Sequence, residues 1–327
     1  MTGYRLLRSV MAALLTVTIG GCAADRGGEP SYAPLRHPFR GARLFLDTDT
    51  LAADWQQQHR AGWLDPIVRT PQVRWVTGPE DVPDLVPMLA AARRQHALPV
   101  LALYWIPDLD CSGGGAPNAG AYDRWIRDVV RTLGDTRSAI VLEPDAVASD
   151  CFDKARAALL TRTVRTLAEA HHYVYLDAGH SRWNDPAETG RRLRKAGIDQ
   201  AEGFAVNVSN RQPTAASHSW AVEVSKLVGD REAVIDTSRN GLPPPADDDW
   251  CNTARQGLGR PPTTDPGLDR VAALLWVKNP GETDGPCGDD RSNGVFVPAQ
   301  ARTLIMNASW LPAAARRAAA TADAPAR

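Results

Sequence analysis

The sequence is marked first by what it does not contain. There is no Gly-Lys-Ser/Thr phosphate loop, no strand-linked dinucleotide fingerprint and no histidine pair at metal-ligand spacing. Nucleotide and nicotinamide chemistry are therefore unsupported, and neither a cofactor nor a metal is expected. A Gly-x-Ser-x-Gly elbow is also missing, which argues against a serine hydrolase. Charge of either sign is nearly balanced at a formal net −1, with no basic stripe, so nucleic acid is not expected as a partner. Phenylalanine and tyrosine are scarce, at 5 and 6, yet there are 10 tryptophans. Tryptophan carries a flat amphipathic face, and an excess of it hints at stacking surfaces for sugar rings.

Long apolar runs are likewise absent after the first twenty residues, so no transmembrane span is expected. Before that point, Arg5 and Arg8 precede an apolar stretch, Val10 to Ile19, too short to cross a bilayer. It ends in Ile19-Gly20-Gly21-Cys22, which resembles a bacterial lipoprotein signal with Cys22 as the lipid-modified residue. An ordinary secretory signal is the alternative. Export follows from either, to the cell surface or the medium. Residues 1–22 are thus read as signal, 23–40 as a polar Gly/Pro-containing linker, 41–313 as one domain and 314–327 as a disordered Ala/Arg-rich tail. With Cys22 set aside, Cys111, Cys151, Cys251 and Cys287 form an even set that permits three pairings. The pairs Cys111–Cys151 and Cys251–Cys287 are favoured, because each would join loops that follow different strands. A zinc site is the alternative, but no two cysteines lie close together in sequence.

Seven short apolar runs alternate with stretches of helical period. The runs are Val73–Val76, Pro99–Ile106, Ala139–Leu142, Tyr173–Leu176, Gly203–Val206, Ala233–Ile235 and Ala273–Val277. Helices are expected over Asp81–His96, Tyr122–Leu133, Asp153–Ala170, Glu188–Lys195 and Ser217–Val228. The alternation argues for an α/β fold, a (β/α) barrel of about seven parallel strands joined by right-handed crossovers. Six successive runs end in Asp, Asn, Lys or Arg, and in a barrel those ends converge on one face. The densest is Leu142-Glu143-Pro144-Asp145, where a strand opens into a loop between two carboxylates. Carboxylates flanked by tryptophans are the equipment of glycoside hydrolysis. A divalent-metal site is the rival, although neutral amides and Lys278 would dilute its charge.

An ordered set of motifs resembles glycoside hydrolase family 6, the cellulases acting on β-1,4-glucan. The set comprises Tyr104-x-x-Pro107-x-x-Asp110-Cys111, Leu142-Glu-Pro-Asp145, Tyr175-Leu-Asp-Ala-Gly-His180 and Asn207-Val-Ser-Asn210. It continues with Asp236-Thr-Ser-Arg239-Asn-Gly, Trp250-Cys251-Asn252 and Trp276-Val-Lys278-x-Pro-Gly-Glu282-x-Asp284-Gly. The resemblance spans residues 41–308 and implies a distorted seven-stranded barrel. It also implies hydrolysis with inversion, by an acid and a base roughly 6.5–9.5 Å apart. By the same resemblance Asp145 matches the general acid, Asp110 the aspartate that raises the acid's pKa and orders the water, and Asp284 the proposed base. Proton removal through a water chain is the alternative to Asp284. Tyr104 matches the tyrosine beneath the distorted ring, Asp177 a neighbouring carboxylate, Lys278 and Glu282 hydroxyl contacts, and Trp183 and Trp250 platforms. His180, Asn207 and Asn210 complete the expected substrate contacts, although both asparagines could instead satisfy loop backbone.

One position departs from the pattern. Leu109 stands where the family carries arginine before the aspartate, and loss of that cation is expected to shift the pH optimum or weaken activity. From Cys287 to Val295 the chain is short, which favours an open cleft and internal cleavage over a tunnel. Exo-acting cellobiohydrolase action and a non-catalytic glucan-binding lipoprotein are the alternatives. The expected partner is a soluble or amorphous β-1,4-glucan, and the expected state is a monomer.

Overall fold

A computed structural model describes residues 31–245, 250–286 and 292–322. Seven strands, β1 (Arg74–Val76), β2 (Val100–Leu103), β3 (Ala139–Leu142), β4 (Tyr173–Asp177), β5 (Gly203–Val206), β6 (Glu232–Asp236) and β7 (Val271–Leu275), form one sheet in sequence order. Every neighbouring pair is parallel. The sheet curls into the expected distorted barrel. The seam between its ends is bridged by Val73 N–H donating to the Trp276 carbonyl at 3.0 Å and by Trp75 Nε1 donating to the Val277 carbonyl at 2.7 Å.

Because strand side chains alternate, each strand faces two apolar layers. Val100, Ala102, Ala139, Val141, Tyr175, Ala205, Val234 and Ala273 fill the interior. Leu101, Leu103, Ile140, Leu142, Leu176, Phe204 and Ile235 pack outward against the helices. Those helices are α1 (Leu51–His59), α2 (Asp65–Val68), α3 (Leu85–Gln95), α4 (Ala119–Leu133), α5 (Lys154–Glu169), α6 (Pro186–Lys195), α7 (Thr214–Leu227), α8 (Pro298–Met306) and α9 (Ala313–Thr321). Helix starts follow their caps: Asn118, Asp153 and Asp185 each accept from the amide three residues on.

Three expectations need correction. Residues 32–40 are not a free linker. Ala33 N–H donates to the Asp199 carbonyl, Arg36 pairs with Glu202, and Phe39 is 1% exposed, plugging the barrel interior beside Tyr175. The tail is not disordered from residue 314, since alanine is the strongest helix former and α9 buries Ala319 completely against α8. Strand two stops at Leu103 rather than Ile106, because the amides of Trp105 and Ile106 leave the ladder to bond the Glu143 carboxylate.

Candidate active site

All seven strands point the same way, so the loops after their C-terminal ends share one face. These loops use unusual backbone. Asp108, Asp110, Cys111, Glu143, Asp145, Asn207, Ser209 and Asn252 have φ between 48° and 68°, the left-handed region that costs a non-glycine residue. Concentrated at strand ends, such conformations aim side chains that a regular turn would turn away.

Glu143 anchors the first of these loops. Its side chain is fully buried and accepts from Trp105 N–H at 3.1 Å and Ile106 N–H at 3.0 Å. Burial pushes its pKa up to about 7, against the pull of the Tyr122 hydroxyl, those amides and Arg156. It therefore ties the loop after β2 to the end of β3 and supports the acidic cluster from beneath.

Two residues on, Asp145 is half-buried, with its backbone N–H donating to Asp177 Oδ2 at 2.7 Å. Burial first, and then the Asp110 charge, raise the Asp145 carboxyl to about 7. Asp110 itself lies in the exposed loop and accepts from the Tyr104 hydroxyl at 2.5 Å. Asp177, fully buried at the end of β4, is driven well above the usual carboxylate range by burial and by Asp145. Its Oδ1 has no hydrogen-bond partner among the described residues.

Across the face, Asp284 lies in the opposite environment. Arg239 Nη1 donates to Oδ1 at 2.7 Å, while Arg211 Nη2 and Asn252 N–H donate to Oδ2 at 3.1 and 3.0 Å. Burial alone would raise this carboxyl, but the two arginines and Lys278 outweigh it and hold the pKa down to about 2. Lys278 is buried, donates to the Thr283 carbonyl at 2.7 Å, and is lowered to about 8 by burial and Arg239. Burial also raises Glu282 to about 7. Glu282 thus holds its proton further into the neutral range than a free glutamate, whereas Asp284 stays ionised throughout it.

The aromatic candidates divide. Trp183 is 40% and Trp250 63% exposed, as platforms should be. Trp183 owes its position to Gly179, where a Cβ would stand 2.6 Å from the Ala148 methyl and 3.2 Å from the indole. His180 lies 5.4 Å from the Trp183 ring. Asn207 is wholly buried: its amide nitrogen donates to the Asp236 and Gln212 carbonyls and its oxygen accepts from Gln212 N–H. No group is left on Asn207 for a ligand. Asn210, partly exposed, accepts from Arg211 N–H and Gln212 Nε2. Asp236 accepts from the amides of Ser209, Ser238, Val277 and Lys278, which makes it the post that ties three strand-end loops together. Among the described residues no cluster of His, Cys, Asp and Glu could hold a metal ion.

With these carboxylates and platforms on one strand-end face, relatives of known identity can be weighed. The family model for glycosyl hydrolases family 6 matches residues 45–303. The chain belongs to glycosyl hydrolase family 6. Endoglucanase A of Thermobispora bispora is 34% identical over 93% of this chain and 70% of its own length. Endoglucanase 1 of Streptomyces sp. (strain KSM-9) is 35% identical over 92% and 93%. Among solved structures, the endoglucanase Cel6 of Mycobacterium tuberculosis, bound to methyl-cellobiosyl-4-deoxy-4-thio-β-D-cellobioside, superposes with a TM-score of 0.79. It is 35% identical and covers 83% of this chain and 99% of that one. This family 6 enzyme is therefore a glycoside hydrolase of the cellulase type.

Several site residues escaped the sequence reading. Arg211 and Arg239, which clamp Asp284, carried a signal only in their place beside Asn210 and within the Asp236 motif. Trp75 read as an apolar strand residue, yet its ring meets Tyr104 edge-on at 5.4 Å. Leu109, in place of the family arginine, is partly buried and packs on the core. A buried cation reaches the same loop from the other side: Arg156 of α5 donates to the Pro107 and Asp108 carbonyls at 3.2 and 2.7 Å. The Cys111–Cys151 disulfide is formed. Cys251 is disulfide-bonded, and Cys287 lies outside the described residues, as does Cys22.

Proposed function

We propose that this enzyme cleaves internal β-1,4 bonds of soluble or amorphous glucan with inversion, using Asp145 as general acid. The observation that carries this reading is the divergence of two carboxyls: Asp145 is raised to about 7, while Asp284 is held down to about 2. An environment that keeps one carboxyl protonated near neutrality suits it to act as general acid, while the other stays a fixed negative charge. Near neutrality a protonated Asp145 can give its proton to the leaving glycosidic oxygen as that bond breaks. Tyr104, beside Trp75 and bonded to Asp110, would lie under the distorted ring, where the positive charge of the transition state develops. Trp183 and Trp250 would carry sugars further along the cleft, with Lys278 and Glu282 at hydroxyls and His180 and Asn210 at its edge.

The water must attack from the opposite face and lose a proton. Both oxygens of Asp284 are already engaged by arginines and an amide, and a carboxylate of so low a pKa is a weak proton acceptor. In our reading Asp284 is a fixed negative charge opposite the acid, and the proton leaves through a water chain ordered by Asp110.

Endo action is supported by the chain that follows Asp284. Thr283 N–H donates to the Val295 carbonyl at 2.9 Å, and Glu282 pairs with Phe296, so only eleven residues, 284–294, lie between the paired ends. Little chain is left to roof the cleft. The test is reducing-sugar release from carboxymethylcellulose by the wild type and Asp145→Asn. Loss of about 10²–10⁴-fold in the variant is expected for removal of a general acid. Binding by the wild type without sugar release would support a non-catalytic glucan-binding protein instead.

A further inference from the structure

We infer that a cavity at the barrel seam takes a third glucosyl unit, counted from the cleaved bond on its glycone side; this rests on the reading of the chain as a β-1,4-glucanase with Tyr104 beneath the distorted ring.

The first observation is where the cavity lies. It has a volume of about 280 Å³ and is walled by the segment that enters α1, by β1 and by the loop after β7. That volume is at the low end for small-molecule sites and suits one sugar unit rather than a length of chain. The seam between β1 and β7 is staggered. Val73 N–H bonds the Trp276 carbonyl, one residue past the end of β7, and Asn279 Nδ2 donates to the Val73 carbonyl at 3.2 Å. The start of β1 is therefore level with the loop that carries Glu282 and Asp284, at the cleft end of the barrel. Trp75 and Glu282 line the cavity, whereas Tyr104 does not. The Trp75 indole is pinned by its bond to the Val277 carbonyl, and its ring meets Tyr104 at 5.4 Å. Tyr104 thus lies under the ring that is attacked, Trp75 flanks the next position, and the cavity follows. The strand farthest from the seam is β4, which leads to Trp183. A glucan laid from Trp183 across Asp145 and Tyr104 runs on toward Trp75 and the cavity.

The second observation is chemistry. Arg74, Trp75, Asn279 and Glu282 are each partly buried. Arg74 donates from Nε and Nη2 to Asp47 and Asp49, which leaves Nη1 without an acceptor among the described residues. Asn279 Nδ2 donates to Gln72 and Val73, which leaves Oδ1 without a donor among them. The Glu282 carboxyl is attracted by Lys278 and Arg74 but accepts no hydrogen bond from any described residue. Fixed donors and acceptors are thus held open in one cavity, and a sugar hydroxyl, which both donates and accepts, matches both kinds. A cation does not fit. Both Asp47 oxygens are engaged, Oδ1 by Asp49 N–H and Oδ2 by Arg74, and the guanidinium stands among the carboxylates. Asp49, Asp54 and Asp84, exposed in the lining, disfavour an anionic sugar and leave a neutral glucosyl unit as the occupant.

The test is hydrolysis of cellopentaose in water labelled with heavy oxygen, by the wild type, Asn279→Ala and Asp84→Ala, with products read by mass spectrometry. The water oxygen bonds the anomeric carbon of the glycone half. Labelled cellotriose therefore reports a chain with three units toward the seam, and labelled cellobiose a chain with two. The ratio of the two is internal to each sample, so it does not depend on how much of a variant is folded. Loss of one hydrogen bond to the sugar should lower the ratio of labelled triose to labelled biose about fivefold in each variant. An unchanged ratio in both variants overturns the inference and leaves the cavity a water-filled groove of the seam. Wild-type cleavage that yields labelled cellobiose alone overturns it as well, with the glucanase reading intact. Failure of the wild type to cleave cellopentaose at all overturns the glucanase reading and the inference with it.

Discussion

Asp145 illustrates how a carboxyl becomes an acid at neutral pH. Its pKa is raised because burial strips away water and Asp110 adds a like charge. A protonated acid is required for leaving-group departure, so activity is present below the Asp145 pKa and is lost as pH rises through about 7. Asp284 stays ionised down to about pH 2 and imposes no limit in between. The initial rate of cello-oligosaccharide hydrolysis against pH should therefore show an alkaline limb near 7. Glu143, with a pKa raised comparably, has a different task. Glu143→Ala would strand the Trp105 and Ile106 amides without acceptors, and chemical denaturation should show a loss of about 3 kcal/mol.

At the scale of elements, the strands were legible because most are apolar on both sides and six end abruptly in polar residues. Helices α3 to α7 were legible from their period. Helix α1 was missed because it carries four polar residues in a row and buries only Ala52. Helix α9 was missed because a run of alanine and arginine has little apolar period although its helix propensity is high. The loop after β2 was legible in composition but not in shape. Its conformation is imposed by Glu143 from below, Arg156 from the side and Cys151 from the next loop, all contacts distant in sequence. The Cys111–Cys151 bridge closes a separation of 40 residues. In the chain-entropy model its removal as Cys111→Ala/Cys151→Ala should cost about 4 kcal/mol in denaturation. Activity should fall in step, because the loop carries Asp110.

For the molecule as a whole, seven parallel strands convert a scatter of sequence positions into one face. Asp110, Asp145, Asp177 and Asp284 span much of the chain, yet the barrel brings their strand ends together. That convergence was legible, because the polar ends recur in the same phase of every strand. What could not be read was how the carboxyls divide: Asp284 and Asp145 are the same residue type after strands of one face, and Arg239, Arg211 and Lys278 set them apart. Asn207 shows the converse, a motif residue whose amide belongs to the backbone of its neighbours. The most direct test of the central account is proton NMR of the first-formed sugar during hydrolysis of a soluble cello-oligosaccharide, read before mutarotation. Inversion, with Asp145 protonating the leaving oxygen and water attacking the opposite face of the ring, predicts that the new reducing end appears as the α-anomer. First appearance of the β-anomer would mean retention, and would contradict it.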